Sequence, residues 1–528
     1  MACGRSIGIG VDLEKLDNAL DGDSSSDGAS IEQPERTQTK EFSEDAPVTP
    51  DHDIEATPVH RTVTAQDWTG IHDPENPHNW PLGKRIYHTV PPALFAFVVT
   101  LGSSIYTPAY LEIAKQFRVS EVAALLGVSL YVLGLAFGPM IAAPISETYG
   151  RLVVYRVSLP LSMLFTLGSG FSKSFASLLV TRFLAGMTGS PVLAVGAGTN
   201  ADLFPPQFRA AATACFLLAP FLGPSLGPVI GGFAAQYKDW RWTQWCTLFI
   251  GVASYLVSIP MEETYKKIIL QKRAKKLGIE PPKQVGPSGF AAIKFLLGVT
   301  LFRPVHMLLF EPIVGFLSLY NAFTFSILFA FFEAFPIVFT GIYHFNTSQT
   351  GLTFLAVGLG VCLGVVSAIA CDRIFYQKEH RKVLAEGKIA VAPEHRLWAA
   401  MLGSFGIPIG LFWFAWTSRA SVHWIVPIIA AIPFAWGNVS IFISAALYLV
   451  DTYGPLGGAS AIAANGLLRY GMSAAFPLFT VQMYKKMGVD WATTFFAFLS
   501  LAMLPIPWVL YRYGSKIRSK SHYETIKA

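Results

Sequence analysis

Charge is scarce in this sequence, and so are the residue patterns by which soluble enzymes are recognised. Asp, Glu, Lys and Arg make up 14% of the 528 residues, against about 25% in soluble globular proteins. Hydrophobic residues make up 52% and the mean hydropathy is +0.45. That balance excludes a soluble domain and implies an integral membrane protein. The five cysteines, Cys3, Cys215, Cys246, Cys362 and Cys371, have neither CxxC spacing nor a nearby histidine cluster, which argues against disulfides and metal sites. GxxxxGKS/T and HExxH are absent, so neither ATP-driven transport by this chain nor an enzyme activity is expected, and no cofactor. No apolar core of a cleavable signal peptide precedes Ile86, so the first span is expected to direct insertion itself.

What charge there is divides unevenly. Residues 1–85 hold 17 of the 34 acidic and 7 of the 40 basic residues, a net of −10, which leaves +16 on the remainder. This stretch is rich in Asp, Ser, Pro and Thr and lacks apolar periodicity, so disorder is expected for most of it. Trp80, Lys84 and Arg85 at its end would mark the inner membrane interface. Apolar stretches of about 20 residues or more follow near 87–107, 122–143, 153–171, 175–198, 211–236 and 243–260. After a basic gap they resume near 305–338, 350–371, 397–417, 424–450, 457–483 and 492–511. The fold expected is all-α, with twelve transmembrane helices in two sets of six. Lys and Arg gather in 262–303, in 372–396 and at the C-terminus, which places those segments and both termini in the cytoplasm. Such loops suit anionic lipid, and nothing points to nucleic acid. The expected organisation is an acidic tail (1–85), a first bundle (86–261), a basic central loop (262–303), a second bundle (304–511) and a basic tail (512–528). Asn346, in Asn346-Thr347-Ser348, then falls in an outer loop as a glycosylation candidate, whereas Asn438-Val439-Ser440 falls within a span. Trp240, Trp242 and Trp424, near span ends, read as interfacial belts.

One apolar stretch organises the rest: Leu217–Gln236, LLAPFLGPSLGPVIGGFAAQ. Gly223, Gly227 and Gly231 recur every four residues and share one helix face, where a neighbouring backbone can approach closely. Pro224 and Pro228 remove helical donors in the same turns. Ala356, Gly360, Gly364 and Ala368 repeat the spacing in the eighth span, and the two faces are expected to pack together as a contact between bundles. Two arginines fall within spans: Arg182, roughly 10 Å in, and Arg469, near the midplane with Asn465 one turn earlier. Charge there is costly and points either to function or to a structural arginine satisfied by backbone carbonyls. Glu311 and Glu333 bracket the seventh span, and Asp202 closes the fourth. These three carboxylates and Arg182 are the proton-coupling candidates, with Glu333 preferred, because a partly desolvated carboxylate can alternate between charged and neutral. Tyr320, Asn321, Asn438, Asn465 and Arg469 are candidates for lining a substrate cavity. Phe316, Tyr320, Phe323 and Ile327 form a helical stripe that suits packing, lipid contact or a wall for an aromatic substrate.

Several blocks together resemble one family. DPENPHNWPLGKR, SSIYTPAY, APISETYGR, RFLAGMTGSPVLAVGAGTNADLF, LGPSLGPVIGGF with KDWRWTQW, EPIVGFLSLY and AANGLLRYGMSAAFPLF are similar to the twelve-span drug:proton antiporters of fungi, the DHA1 branch of the major facilitator superfamily, which includes polyamine and multidrug exporters. The loop after the second span departs from the family's GxxxD(R/K)xGR(R/K). Ala143 replaces the first glycine, Glu147 the aspartate, Thr148 the first basic residue and Leu152 the last, while Gly150 and Arg151 remain. The resemblance implies two six-helix bundles around a central cavity. It also implies a Glu147–Arg151 loop that biases the inward–outward equilibrium, proton coupling at Arg182, and an antiport role for the segment containing Gly223, Pro224, Gly227, Pro228, Gly231 and Gly232. The activity implied is proton-coupled export of small amphipathic molecules across the plasma membrane by a monomer whose partners are substrate, protons and lipid. Transport of a polyamine-like cation at the plasma or vacuolar membrane stays open, as does a transport-dead sensor.

Overall fold

A backbone that lies in hydrocarbon must satisfy its polar groups within the segment that carries them, and among the described residues the chain does so with helices alone. The computed structural model describes residues 67–70, 72–279, 290–386 and 391–525. In order the α-helices are α1 Leu82–Ser104, α2 Tyr110–Phe117, α3 Glu121–Tyr149, α4 Arg151–Gly170, α5 Phe175–Gly189, α6 Pro191–Leu203, α7 Pro206–Tyr237, α8 Arg241–Ser258 and α9 Lys266–Leu277. They continue with α10 Phe290–Phe310, α11 Pro312–Phe335, α12 Thr347–Leu352, α13 Leu355–Cys371, α14 Gln377–Ala385, α15 Trp398–Thr417, α16 Ile425–Met503 and α17 Pro505–Arg518. Caps set several of the starts: the Ser120 and Ser174 side chains accept from Ala123 N and Ser177 N, and Asn346 and Gln349 form a capping box on α12. Non-helical backbone at Gly454 (φ 68°) and Gly488 (φ 79°) divides α16 into segments 425–453, 455–487 and 489–503. Among the described residues, ten helical runs are long and apolar enough to cross a bilayer.

The glycines of α7 do share a face, but its neighbour is α1 in the same half of the chain, not α13. A side chain at Gly223 would collide with Thr100, at Gly227 with Ser104, and at Gly231 with the carbonyl of Ile105. Gly360 and Gly364 of α13 face the first segment of α16, against Ile432 O, Ala435 and Val439. The contact between the halves uses the other side of α7. Ser225, about 200° around the helix from Gly223, donates to Phe354 O (2.8 Å). Gly351 closes on Pro228 O, and Gly232 on Thr347 O. A period of four fixes which residues share a face but not which helix that face meets. Gly231→Ala would press a methyl on main chain that has no flexible end to yield, and is expected to cost about 1–3 kcal/mol of stability. Gly466→Ala, with nothing within 4 Å and a better helix former in place of glycine, should not lower the thermal midpoint. Thermal unfolding of the two purified variants checks this, and equal midpoints would contradict it.

Two boundaries differ from those expected. Order begins well before residue 85: Pro77–Asn79 forms a 3₁₀ turn, and Asp73 (4% exposed) is ion-paired at 2.8 Å to Arg273 of α9, which also binds Glu75 at 2.6 Å. Burial alone would raise the Asp73 carboxyl, but hydrogen bonds from Thr69, the Glu75 backbone and Arg273 outweigh it and hold it at about 2. An aspartate held below its ordinary value of about 3.9 keeps its contribution at every pH above that and loses it only as pH falls towards 2. This anchoring is polar, so apolar periodicity does not reveal it. The expected loop 262–303, for its part, carries α9 and the start of α10. The tail up to residue 66, Cys3 included, and loop residues 280–289 lie outside the described residues. Trp242 and Trp424 are 39% and 40% exposed, but Trp240 is fully buried and donates its indole N–H to Gln116. It is core, not belt.

Candidate functional site

Arg182 of α5 is 1% exposed. Its Nε donates to Gly127 O (3.0 Å) and its Nη1 to Gly102 O (2.8 Å), which joins α5 to α3 and α1. The guanidinium lies over the rings of Tyr106 and Tyr131, 4.7 and 4.4 Å from their centroids. Each ring fills the space a side chain would take at a glycine, Tyr131 beside Gly102 and Tyr106 beside Gly127. Glycine there is a requirement of close approach. No carboxylate among the described residues pairs with this arginine.

In the second half, α11 lies between the first and second segments of α16. Asn438 donates to Thr324 O (2.7 Å), and the Ser326 and Ser473 hydroxyls are 3.1 Å apart. Arg469 is 8% exposed and rests over Phe325, Phe442 and Tyr470 at 4.5, 4.5 and 4.3 Å. Phe221, from α7 in the first half, closes on Phe325 and Phe442 with centroids 5.9 and 5.1 Å away. Four of the five cavity candidates carry buried polar atoms without a partner among the described residues: the Tyr320 hydroxyl, both amide atoms of Asn321, Nδ2 of Asn465 and Nε of Arg469. Asn438 is already engaged. Of the aromatic stripe, Tyr320, Phe323 and Ile327 are buried while Phe316 is 56% exposed.

Glu333, near the far end of α11, is 2% exposed, and neither of its oxygens has a partner among the described residues. Glu121 lies close enough to act on it electrostatically. Glu121 is itself ion-paired with Lys485 at 3.1 Å, a contact from α3 to the second segment of α16 that joins the two halves. Neither Glu121 nor Lys485 stands out in the sequence, because exposed charges near span ends are common.

The remaining candidates serve as clasps. Glu311 accepts from the Tyr453 hydroxyl (2.9 Å), Ser521 Oγ (2.8 Å) and His522 N (2.8 Å), so it holds the residues after α17 against the start of α11. We call this end the tail face. As a carboxylate with three donors it does not fit the proton-coupling role expected of it. Asp202 is paired with Arg151 at 3.2 Å. Glu147 forms no ion pair among the described residues, so the partner of Arg151 is Asp202, with Ser146 Oγ at 2.6 Å and the Tyr265 ring at 4.7 Å. Gly150 (φ 100°) lets the chain turn beneath Glu263, whose carboxylate accepts from the backbone N–H of Arg151, Leu152, Thr264 and Tyr265. The second half repeats this chemistry in a group absent from the sequence candidates. Arg396 pairs with Asp372 and Asp451, each at 2.6 Å, and stacks on Tyr376. Asp451, a rare carboxylate closing an apolar run as Asp202 does, is the signal in the sequence that points to it.

A family model described as Major Facilitator Superfamily matches residues 93–477. The chain is 42% identical over 481 residues to Polyamine transporter 4 of Saccharomyces cerevisiae, covering 87% of this chain and 73% of that one. It is 39% identical to Efflux pump FUBT of Fusarium oxysporum, covering 85% and 76%. Against the multidrug transporter mdrA of Aspergillus fumigatus it is 38% identical, covering 85% and 74%. Among solved structures, the proton:xylose symporter XylE superposes with a TM-score of 0.59 at 16% identity, over 82% of this chain and 96% of that one. Family and fold mark a multi-pass membrane transporter and not an enzyme. The chain therefore belongs to the major facilitator superfamily, among its fungal drug-efflux transporters.

Proposed function

We propose that this protein exports small amphipathic molecules across the plasma membrane in exchange for protons. It is a monomer with twelve crossings and both termini in the cytoplasm. Dividing the 62-residue run Gly457–Arg518 at Gly488 and adding α8 turns ten apolar runs into twelve. The basic segments and the tail face are then cytoplasmic, and the exposed Asn346 is outside, where a glycan can be attached. The observation that carries the reading is a pair of uncompensated groups deep in the protein. Among the described residues Arg469 has no anion and Glu333 has no cation, and Phe325, which touches Arg469, lies eight residues before Glu333, about 12 Å along α11. Intramembrane charges with purely structural roles are ordinarily paired. Arg469 serves the substrate and Glu333 the proton, with Arg182 as scaffold. The two halves rock about α7, α12 and α13, and the Arg151 and Arg396 clasps hold the tail face together.

The polyamine exporter reading draws on the 42% identical relative; an unpaired guanidinium at the centre speaks against a polycation. Vesicles containing the full chain, given an imposed pH gradient and a panel of neutral, anionic and cationic amphiphiles with spermidine, test the proposal. At least one amphiphile should move against its gradient, and a protonophore should abolish the movement. If none of the panel moves, or movement ignores the protonophore, proton-coupled export is wrong.

A further inference from the structure

Export of amphipathic molecules does not by itself say which class of molecule binds. The surroundings of Arg469 narrow the choice, and the substrate class assigned from them rests on the export reading. The Arg469 guanidinium has no ion pair and no side-chain hydrogen bond among the described residues. Its contacts are the faces of Phe325, Phe442 and Tyr470. Ring faces attract a cation but do not neutralise it, and a guanidinium is built to accept a carboxylate through two parallel N–H donors. The amides near it have spare capacity too. The start of α11 and residue 455 both lie at the tail face, since Glu311 and Tyr453 meet there. The two helices therefore run parallel away from that end. Asn321 lies one turn before Phe325, and Asn465 one turn before Arg469, so both amides stand one turn on the tail-face side of the ring–guanidinium contact. Phe221 brings a wall from the other half.

We propose that this group is a binding site for amphipathic organic anions. A carboxylate pairs with Arg469, the amides of Asn465 and Asn321 take its remaining lone pairs or a neighbouring polar group, and the apolar body lies among Phe221, Phe325 and Phe442. Rings from both halves then close on the same molecule, so occupancy is felt by both. A polycation brought to the same place would face an unneutralised positive charge.

Equilibrium binding of 2-naphthoate, methyl 2-naphthoate and spermidine to the purified full-length protein tests this without requiring transport. Naphthoate should bind at least tenfold more tightly than its ester, and spermidine should not displace it. Arg469→Gln should remove the difference between acid and ester, while Arg469→Lys, which keeps the charge, should retain part of it. Thermal unfolding establishes that both variants are folded. Equal binding of acid and ester, an acid preference that survives Arg469→Gln, or displacement by spermidine would overturn the proposal, as would failure of naphthoate to bind. Ester transport without any acid preference would remove the anion site and leave the exporter standing. Acid-selective binding with no transport of any probe would do the reverse.

Discussion

Replacing Arg182 with alanine should deplete the folded transporter and not merely uncouple it. The side chain fills the space between two tyrosine rings and supplies the hydrogen bonds to Gly102 O and Gly127 O. Each hydrogen bond from the charged guanidinium that is lost costs about 1.5–3 kcal/mol, and the void left by a large buried side chain adds roughly 2–5 kcal/mol. Together these approach the whole folding free energy of an ordinary protein, about 5–15 kcal/mol. Lysine restores charge without the planar fork, so Arg182→Lys should recover only part of the loss. Size-exclusion profiles and thermal midpoints of the purified variants decide the matter. If Arg182→Ala is as stable as the parent and has lost only its response to an imposed pH gradient, the arginine is a coupling residue and the structural account fails.

The helical class is legible in the sequence because the apolar runs are long and nearly uncharged, and Arg182, Arg469 and Glu333 stand out because charge is conspicuous in such runs. Partnership is not legible. Family resemblance and local spacing match Arg151 with Glu147, four residues away, whereas its partner Asp202 is 51 residues off. Glu311 reads as a free carboxylate at a span end, and its donors lie more than 140 residues away. Asp73 sits in a stretch whose composition reads as disordered, yet one buried ion pair to Arg273 fixes it. In each case local pattern sets which residues are polar, while helix packing sets what they meet. Trp240 shows the same limit for an apolar group, since proximity to a span end does not say whether the indole faces lipid or core.

Replacing Glu333 with glutamine should remove the dependence of export on the pH gradient while leaving exchange down a concentration gradient intact. The carboxyl is buried with no donor or cation at either oxygen among the described residues, and a neighbouring carboxylate, Glu121, is held by Lys485 across the two halves. An ionised group in that position would have neither water nor a counter-charge, which is the most costly state for a charge in a protein interior. Opening at the face that carries the Glu121–Lys485 pair would wet Glu333, where it takes a proton from the outer solution. Closure then requires the neutral form, and opening at the tail face lets the proton leave. Glutamine is neutral throughout, so closure no longer waits for a proton. Gradient-stimulated efflux should fall at least tenfold in Glu333→Gln, whereas Glu333→Asp should keep a measurable response. Vesicles with and without an imposed gradient, loaded with whichever probe the parent moves, make the comparison. Unchanged stimulation in Glu333→Gln would take the proton away from this residue.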